Sequence, residues 1–235
     1  MPAPEVSVVI PCLNEAANAA HFAETLFGPL ERTGLACEVI FSDGGSADGT
    51  PEIIEASAAG RPWVRVLKAG GKASFAQSLA RALPECRAGY VVFLEADLSF
   101  SPLDIPRLLG AAREGGCDCV CGSPFLGSFD GLPPLRRLLT GGANLLLRAR
   151  FGASVTSYTQ IFKLYRTAAL RRLRFENEGF MLDAELLAKA LALGLKVAEI
   201  PVTMKGRGLG RSKLNTAAEI WSCVKLLAKG VGPGA

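Results

Sequence analysis

Short runs rich in β-branched and aromatic residues recur along the first half of the chain, at 6–10, 38–41, 64–67, 90–94 and 117–121. Between them the apolar positions return every three or four residues. These stretches predict helices from Asn14 toward Arg32, over 51–58, over 73–83 and over 103–113. Strands that alternate regularly with helices predict an α/β fold: a doubly wound, mostly parallel sheet with helices on both faces. Beyond Gly122 the rhythm changes. Pro133-Pro134 opens a basic helix toward Arg150, and 161–165 reads as extended. A strong helix follows over 182–193, then a strand over 196–200, a glycine loop at 206–210 and an amphipathic helix over 214–229. No repeat or linker interrupts the pattern, which predicts one domain over 1–235.

Two acidic clusters fall where such a fold binds ligands. Ser42-Asp43-Gly44-Gly45-Ser46-Ala47-Asp48-Gly49-Thr50 follows the second strand and precedes a helix with Thr50 as expected N-cap and Pro51 in its first turn. Carboxylates and glycines beyond the C-terminal end of a strand suit a base, a ribose and a close backbone approach. The stretch is no dinucleotide fingerprint, since no G-x-G-x-x-G occurs, and Gly70-Gly71-Lys72-Ala73 is no P-loop. Glu95-Ala96-Asp97 ends the apolar strand at 90–94. Strand alternation would put both carboxylates on one side, where two hard oxygen donors suit Mg²⁺ or Mn²⁺ and a diphosphate.

Composition narrows the chemistry. No apolar run reaches the roughly 18–20 residues that span a bilayer, and no signal peptide is visible. Seven cysteines without framework spacing fit a reducing, cytoplasmic setting. Cys117, Cys119 and Cys121 alternate, and are expected on one side of a strand as small buried apolar residues. The single histidine, His21, is expected on a helix surface, so histidine triads and multi-histidine metal sites are excluded. The net charge of +4 conceals an asymmetry: 1–131 carries −7 and 132–235 carries +11. An acidic first part suits a cation or nucleoside; a basic second part suits phosphates or an anionic membrane face. Basic residues are not interleaved with aromatics, which argues against nucleic acid.

These stretches, in this order, resemble the inverting family-two glycosyltransferases of the polyprenol-phosphate (dolichol-phosphate mannose synthase-like) branch. The resemblance runs over about 5–215. It rests on Val8-Val9-Ile10-Pro11-Cys12-Leu13-Asn14-Glu15, the Asp43–Thr50 stretch, Glu95 with Asp97, Arg136-Arg137-Leu138-Leu139-Thr140-Gly141-Gly142-Ala143-Asn144, Glu199-Ile200-Pro201-Val202 and Arg207-Gly208-Leu209-Gly210-Arg211-Ser212-Lys213. It implies a glycosyltransferase A-type fold with a nucleotide-sugar half over 1–122, an acceptor-side half over 123–213 and a C-terminal helix over 214–235.

The resemblance also implies roles. Pro11, Glu15 and Asp43 would hold base and ribose, with Asp48, Lys72 and Ala96 completing the nucleotide-sugar set. Asp97, helped by Glu95, would bind the metal, and Arg207 and Lys213 would close over the phosphates. Arg136 and Thr140, four apart on one helix face, would hold an acceptor phosphate. The implied reaction moves a sugar from GDP-mannose or a UDP-sugar to a polyprenyl phosphate, with inversion. A hydroxyl acceptor is the alternative, with Asp183 or Glu185 as base; a non-catalytic nucleotide-sugar-binding protein is another. Leu13 stands where the family has a tyrosine, Glu95 and Ser99 where the metal motif has Asp and Gln, and Pro124 where an arginine is expected. Trp221 with Leu226, Leu227, Lys225 and Lys229 suggests peripheral contact with the cytoplasmic face of a membrane, or docking of that helix on its own core or a second subunit.

Overall fold

Each strand of the first half leads into a helix that packs back on the sheet. The computed structural model describes residues 3–152, 154–179, 181–207 and 216–231. The elements are β1 (Val6–Cys12), α1 (Ala16–Ala19), α2 (Gly28–Arg32), β2 (Cys37–Asp43), α3 (Thr50–Ser57), β3 (Val64–Leu67), α4 (Phe75–Ala82), β4 (Tyr90–Phe93), α5 (Ile105–Gly115) and β5 (Cys119–Asp130). They continue with α6 (Pro134–Phe151), β6 (Lys163–Arg166), α7 (Thr167–Leu170), α8 (Leu182–Ala192), β7 (Val197–Lys205) and α9 (Thr216–Lys229). Seven strands form one sheet in the order β3-β2-β1-β4-β6-β5-β7. β6 runs antiparallel to both β4 and β5; the other pairings are parallel.

Strand alternation divides the apolar residues between two cores. Val8, Ile10, Val39, Phe41 and Val92 pack with Phe22, Leu26, Ile54, Leu108 and Ala112 on one face. Val9, Ile40, Val91 and Phe93 pack with Leu79, Leu147, Leu170, Leu186, Leu187 and Leu226 on the other. Both faces are thus covered by helices, which parallel strands require.

Several details differ from the sequence-based expectations. The helix foreseen from Asn14 to Arg32 is broken into α1, a π-turn over Ala23–Phe27, and α2. Pro29 offers no N–H to an α-helical ladder, and Gly28 N–H reaches back to Ala23 instead. Gly49, left-handed at φ 81°, is the N-cap of α3, and Thr50 is its first helical residue. Cys117 precedes β5 and packs in the first core, whereas Cys119 and Cys121 pack in the second, so the three cysteines do not share a face. The turn after the left-handed Gly116 rotates Cys117 out of register with the strand.

Strand order places a switch point between β1 and β4. From β1 the chain winds outward to β2 and β3, then returns to add β4 on β1's other edge. In such sheets the crevice beyond the carboxyl ends of the two diverging strands receives the ligand. Pro11 marks the divergence. The carbonyl of Val9 accepts the last β4 contact, from Leu94 N–H, so Pro11 points its missing N–H where β4 has already turned away.

Candidate functional site

The β1 side of the crevice is a lashing of two loops. Asn14, left-handed at φ 48°, receives Ala47 N–H on its side-chain oxygen at 2.8 Å, and its own N–H donates to Ser46 Oγ at 2.8 Å. Glu15 N–H donates to Thr50 Oγ1 (2.8 Å), and Ala16 N–H to Asp48 Oδ2 (3.0 Å). Asp48 also accepts from Thr50 N–H and Oγ1. Desolvation, the largest single effect, pushes the carboxyl up, but these hydrogen bonds together outweigh it and hold the carboxyl below the usual range. Asp43 is buried and accepts from Gly45 N–H, Ser46 N–H and Ser46 Oγ. Both sequence-predicted aspartates therefore shape the turn that presents Glu15.

Lys72 comes to the same turn. Ala73 N–H donates to Gly44 O, and a Cβ on Gly45 would stand 2.6 Å from Gly71 O. With φ at 91°, only glycine fits there. Lys72 itself is exposed.

On the other side, β4 stops at Phe93, so Glu95 and Asp97 lie in a turn rather than on the strand. The turn closes through Leu98 N–H to Glu95 O, with Leu98 left-handed at φ 51°. That conformation costs a leucine about 1–2 kcal/mol, and strain of this kind collects at sites that need a fixed geometry. Ser99 N–H and Oγ both donate to Asp97 Oδ1, at 3.0 and 2.7 Å. Ala96 is buried between the two acids. Burial, with Asp97 and Asp183 as neighbouring charges, pushes the Glu95 carboxyl up to about 8, against the opposing pull of Arg136 and Arg207.

Arg207 spans the crevice. Its Nε donates to Asp97 Oδ2 at 2.7 Å and its Nη2 to Glu15 Oε1 at 3.1 Å, while Asn18 holds the other Glu15 oxygen at 2.6 Å. A cation from the end of β7 thus joins carboxylates from the ends of β1 and β4. Lys213, expected beside it, lies outside the described residues.

The second half adds α6 and α8. Arg136 is close enough for its charge to act on Glu95. Thr140 follows one turn later on the same helix face, and Asn144 is buried one turn further. Asp183, in the first turn of α8, is buried; its surroundings push it up to about 7, with nearby Lys163 opposing and Glu219 adding to the shift. Glu185 is engaged otherwise: its oxygens accept Glu176 N–H (3.0 Å) and Asn177 N–H (2.7 Å), and Lys189 pairs with it at 2.7 Å. It holds the loop before α8 rather than facing the acidic turn.

Sequence reasoning missed three supports. Arg81 of α4 donates to the Asp43 carbonyl and to Ser42 Oγ, with no local signal for partners so distant. Glu199 of β7 accepts Thr156 and Ser157 N–H, tying down the loop before β6. Asn144 was part of a motif, but its staple was not visible: the side chain donates to Thr140 O and Thr159 Oγ1, accepts Tyr158 and Thr159 N–H, and leaves Leu138 and Leu145 of α6 facing outward. A half-open cavity of about 240 Å³, lined by Leu30, Cys37, Trp63, Arg65 and Arg87, lies at the start of β2 and β3, the opposite end of the sheet from the carboxylates.

The donor set suits a divalent cation in one way only. Glu95 and Asp97 are hard oxygen donors, but among the described residues no group of three or more candidate ligands forms a cage. Two carboxylates match a Mg²⁺ or Mn²⁺ whose remaining positions are taken by water and a ligand's phosphates.

Comparison with known proteins shows the family and the fold. Low-salt glycan biosynthesis hexosyltransferase Agl6 of Haloferax volcanii is 28% identical over 232 residues, covering 96% of this chain and 53% of the relative. The chain therefore spans about half the length of Agl6. Undecaprenyl-phosphate mannosyltransferase of Micrococcus luteus is 31% identical over 193 residues, covering 76% of each chain. Polyprenol monophosphomannose synthase of Mycolicibacterium smegmatis is 28% identical over 226 residues, covering 91% of this chain and 82% of the relative. Glucosyl-3-phosphoglycerate synthase of Mycobacterium tuberculosis, crystallised with uridine diphosphate, shares the fold at a TM-score of 0.73 and 21% identity, covering 98% of this chain and 82% of that one. Residues 7–174 match the family described as Glycosyl transferase family 2, and the chain belongs to that family.

Proposed function

We propose that the chain transfers a sugar from a nucleoside-diphosphate sugar to a polyprenyl phosphate, inverting the anomeric carbon. One observation carries the reading: Arg207 joins Glu15 and Asp97 across the switch point, beside Glu95, whose raised carboxyl Arg136 and Arg207 oppose. In this reading Arg136 would serve an acceptor phosphate and the acids a donor diphosphate. The M. luteus and M. smegmatis relatives, whose names specify mannose transfer to polyprenyl phosphates, support the acceptor class.

In this reading Glu15 and Asp43 hold the nucleoside with Pro11, and Lys72 stands where it can meet the phosphates. Glu95 and Asp97 would hold Mg²⁺ or Mn²⁺, which when bound offsets charge developing on the leaving diphosphate. The M. tuberculosis synthase has been crystallised with Mn²⁺ and uridine diphosphate, which agrees with this choice. Arg207 releases Asp97 and turns its guanidinium to the diphosphate; Arg136 and Thr140 orient the acceptor phosphate for in-line attack. A phosphate oxygen is already anionic at pH 7 and needs no base. A hydroxyl acceptor would need one, and Asp183, pushed up to about 7, favours that second reading enough to test it.

The deciding assay supplies GDP-mannose and UDP-sugars with a polyprenyl phosphate and Mn²⁺ or Mg²⁺. Transfer should occur with one nucleotide class, and Asp97→Ala should lower it by about a thousandfold, as removal of a central charge-stabilising group does. Wild-type turnover in that variant would sink the reading. Retention of lipid-phosphate transfer in Asp183→Asn excludes Asp183 as a base; transfer to hydroxyl acceptors alone favours the second reading.

A further inference from the structure

We infer that Lys163 is a positioning residue: its buried ammonium holds the segment Tyr158–Gln160 against the sheet and so sets where α6 stands relative to the carboxylate turn. The kinetic consequence rests on the acceptor proposed above, but the clamp itself stands on hydrogen bonds. Lys163 opens β6 and pairs with Cys121 of β5. Phe162 and Leu164 on either side of it enter the first core, whereas Cys121 and Tyr165 enter the second. Alternation thus gives Lys163 a place among apolar side chains, and it is 1% exposed there. An apolar residue would fill that place without the cost of taking a charge out of water. The ammonium is held instead by two carbonyls, Tyr158 O at 3.0 Å and Gln160 O, with the buried Asp183 of α8 close enough to feel its charge.

The same segment is gripped from the other side. Asn144 of α6 accepts Tyr158 N–H at 2.6 Å and Thr159 N–H at 3.3 Å, and donates to Thr159 Oγ1 at 2.9 Å. Tyr158 Oη donates to Gly152 O, just past the end of α6, at 2.9 Å. Three residues therefore give N–H groups to α6 and carbonyls to β6. Glu199 of β7 fixes the chain just before them through Thr156 and Ser157 N–H, so it enters the clamp from an anchored point.

The clamp joins two parts of the crevice. β6 pairs with β4 through Leu164 and Val92, which brings Lys163 level with the end of β4, where the Glu95–Asp97 turn departs. On α6, Thr140 lies one turn before Asn144, and Arg136 one turn before that. A continuous line of bonds thus runs from the carboxylate turn through Lys163 and Asn144 to the groups proposed for the acceptor phosphate. The nucleoside side, by contrast, is lashed together by bonds of its own between the ends of β1 and β2. A methionine at 163 would leave both carbonyls buried without a donor, and a displacement of about 1 Å between reacting groups costs about a hundredfold in rate.

The test is steady-state transfer by the full chain from GDP-mannose or UDP-glucose, whichever wild type turns over, to undecaprenyl phosphate in detergent. Lys163→Met should raise KM for undecaprenyl phosphate at least tenfold and lower kcat by about ten- to a hundredfold, with KM for the nucleotide sugar within twofold of wild type. Lys163→Arg, which restores a cationic donor, should recover most of the acceptor KM. A thermal shift with GDP or UDP equal to that of wild type shows that the variants are folded. Equal rises in both KM values, an unchanged acceptor KM, or an arginine variant no better than methionine would each overturn the inference. Thermal melts probe the clamp without any substrate: Asn144→Leu should lower the melting temperature much less in a Lys163→Met background than alone, because half the clamp is already gone. Drops that simply add would overturn the clamp even where transfer is found. Coupled drops without transfer to undecaprenyl phosphate would support the clamp and count against the proposed acceptor alone. If Lys163→Met yields no folded protein, Lys163→Gln, which keeps an amide donor without the charge, takes its place in both measurements.

Discussion

At the scale of single residues, the site is a problem of like charges held close. Glu15, Asp97, Glu95 and Asp183 converge from three parts of the chain, and Arg207, Arg136 and Lys163 are the cations against them. The two groups without a direct ion pair carry the strain, Glu95 at about 8 and Asp183 at about 7. An unfolded Asp183 titrates near the model-peptide value of 3.8, so between about pH 4 and 7 the folded form keeps a proton that the unfolded form has lost. The Asp183 contribution to stability should therefore fall as pH rises across that window and level off above it. Asp183→Asn should flatten the fall between pH 5 and 7 in thermal melts, leaving the part due to Glu95, which extends to about pH 8. An unchanged slope would mean that Asp183 is already ionised at pH 5. Glu15, Asp97 and Arg207 were all legible as site residues in motifs, but the pairing of Arg207 with both acids was not. That contact joins positions 110 and 192 residues apart, beyond any local pattern.

At the scale of elements, strand starts were read to within about two residues because their apolar runs are short and bounded by turns, but β5 and β7 run on to Asp130 and Lys205, well past their expected ends. β4 ending at Phe93 and the broken helix from Asn14 were not legible either, since both depend on neighbours: β1 diverges at Pro11, and Pro29 opens the ladder. α6 shows the limit most clearly. Its periodicity was evident, but periodicity defines a stripe without saying which way it points. Asn144 makes that decision, and replacing it should show so. Asn144→Leu leaves Tyr158 and Thr159 N–H groups buried without their acceptor, at about 1–3 kcal/mol each. The midpoint of thermal unfolding should drop by about 5–15 °C, at roughly 2–4 °C per kcal/mol for this size. A drop under 2 °C would show that α6 is held by its other contacts.

At the scale of the molecule, function depends on both halves closing on one crevice. The described residues include no helix long and apolar enough to cross a membrane. Within the crevice, two carboxylates would bind a cation weakly until phosphates completed its shell, and the coupling would be reciprocal. Mn²⁺ and a nucleoside diphosphate added together should raise the melting temperature by more than the sum of their separate effects. Strict additivity would show that the cation and nucleotide do not share Glu95 and Asp97. The sequence by itself determined the α/β class, the β–α rhythm and the acidic ends of β2 and β4, because these follow from local periodicity and turn chemistry. Only the tertiary structure decided the antiparallel β6, the meeting of Arg207 with Glu15 and Asp97, the structural use of Asp48 and Glu185, and the outward leucines of α6. Each of these is a choice among partners far apart in the chain, and it is made by strand order and burial rather than by any residue's own preference.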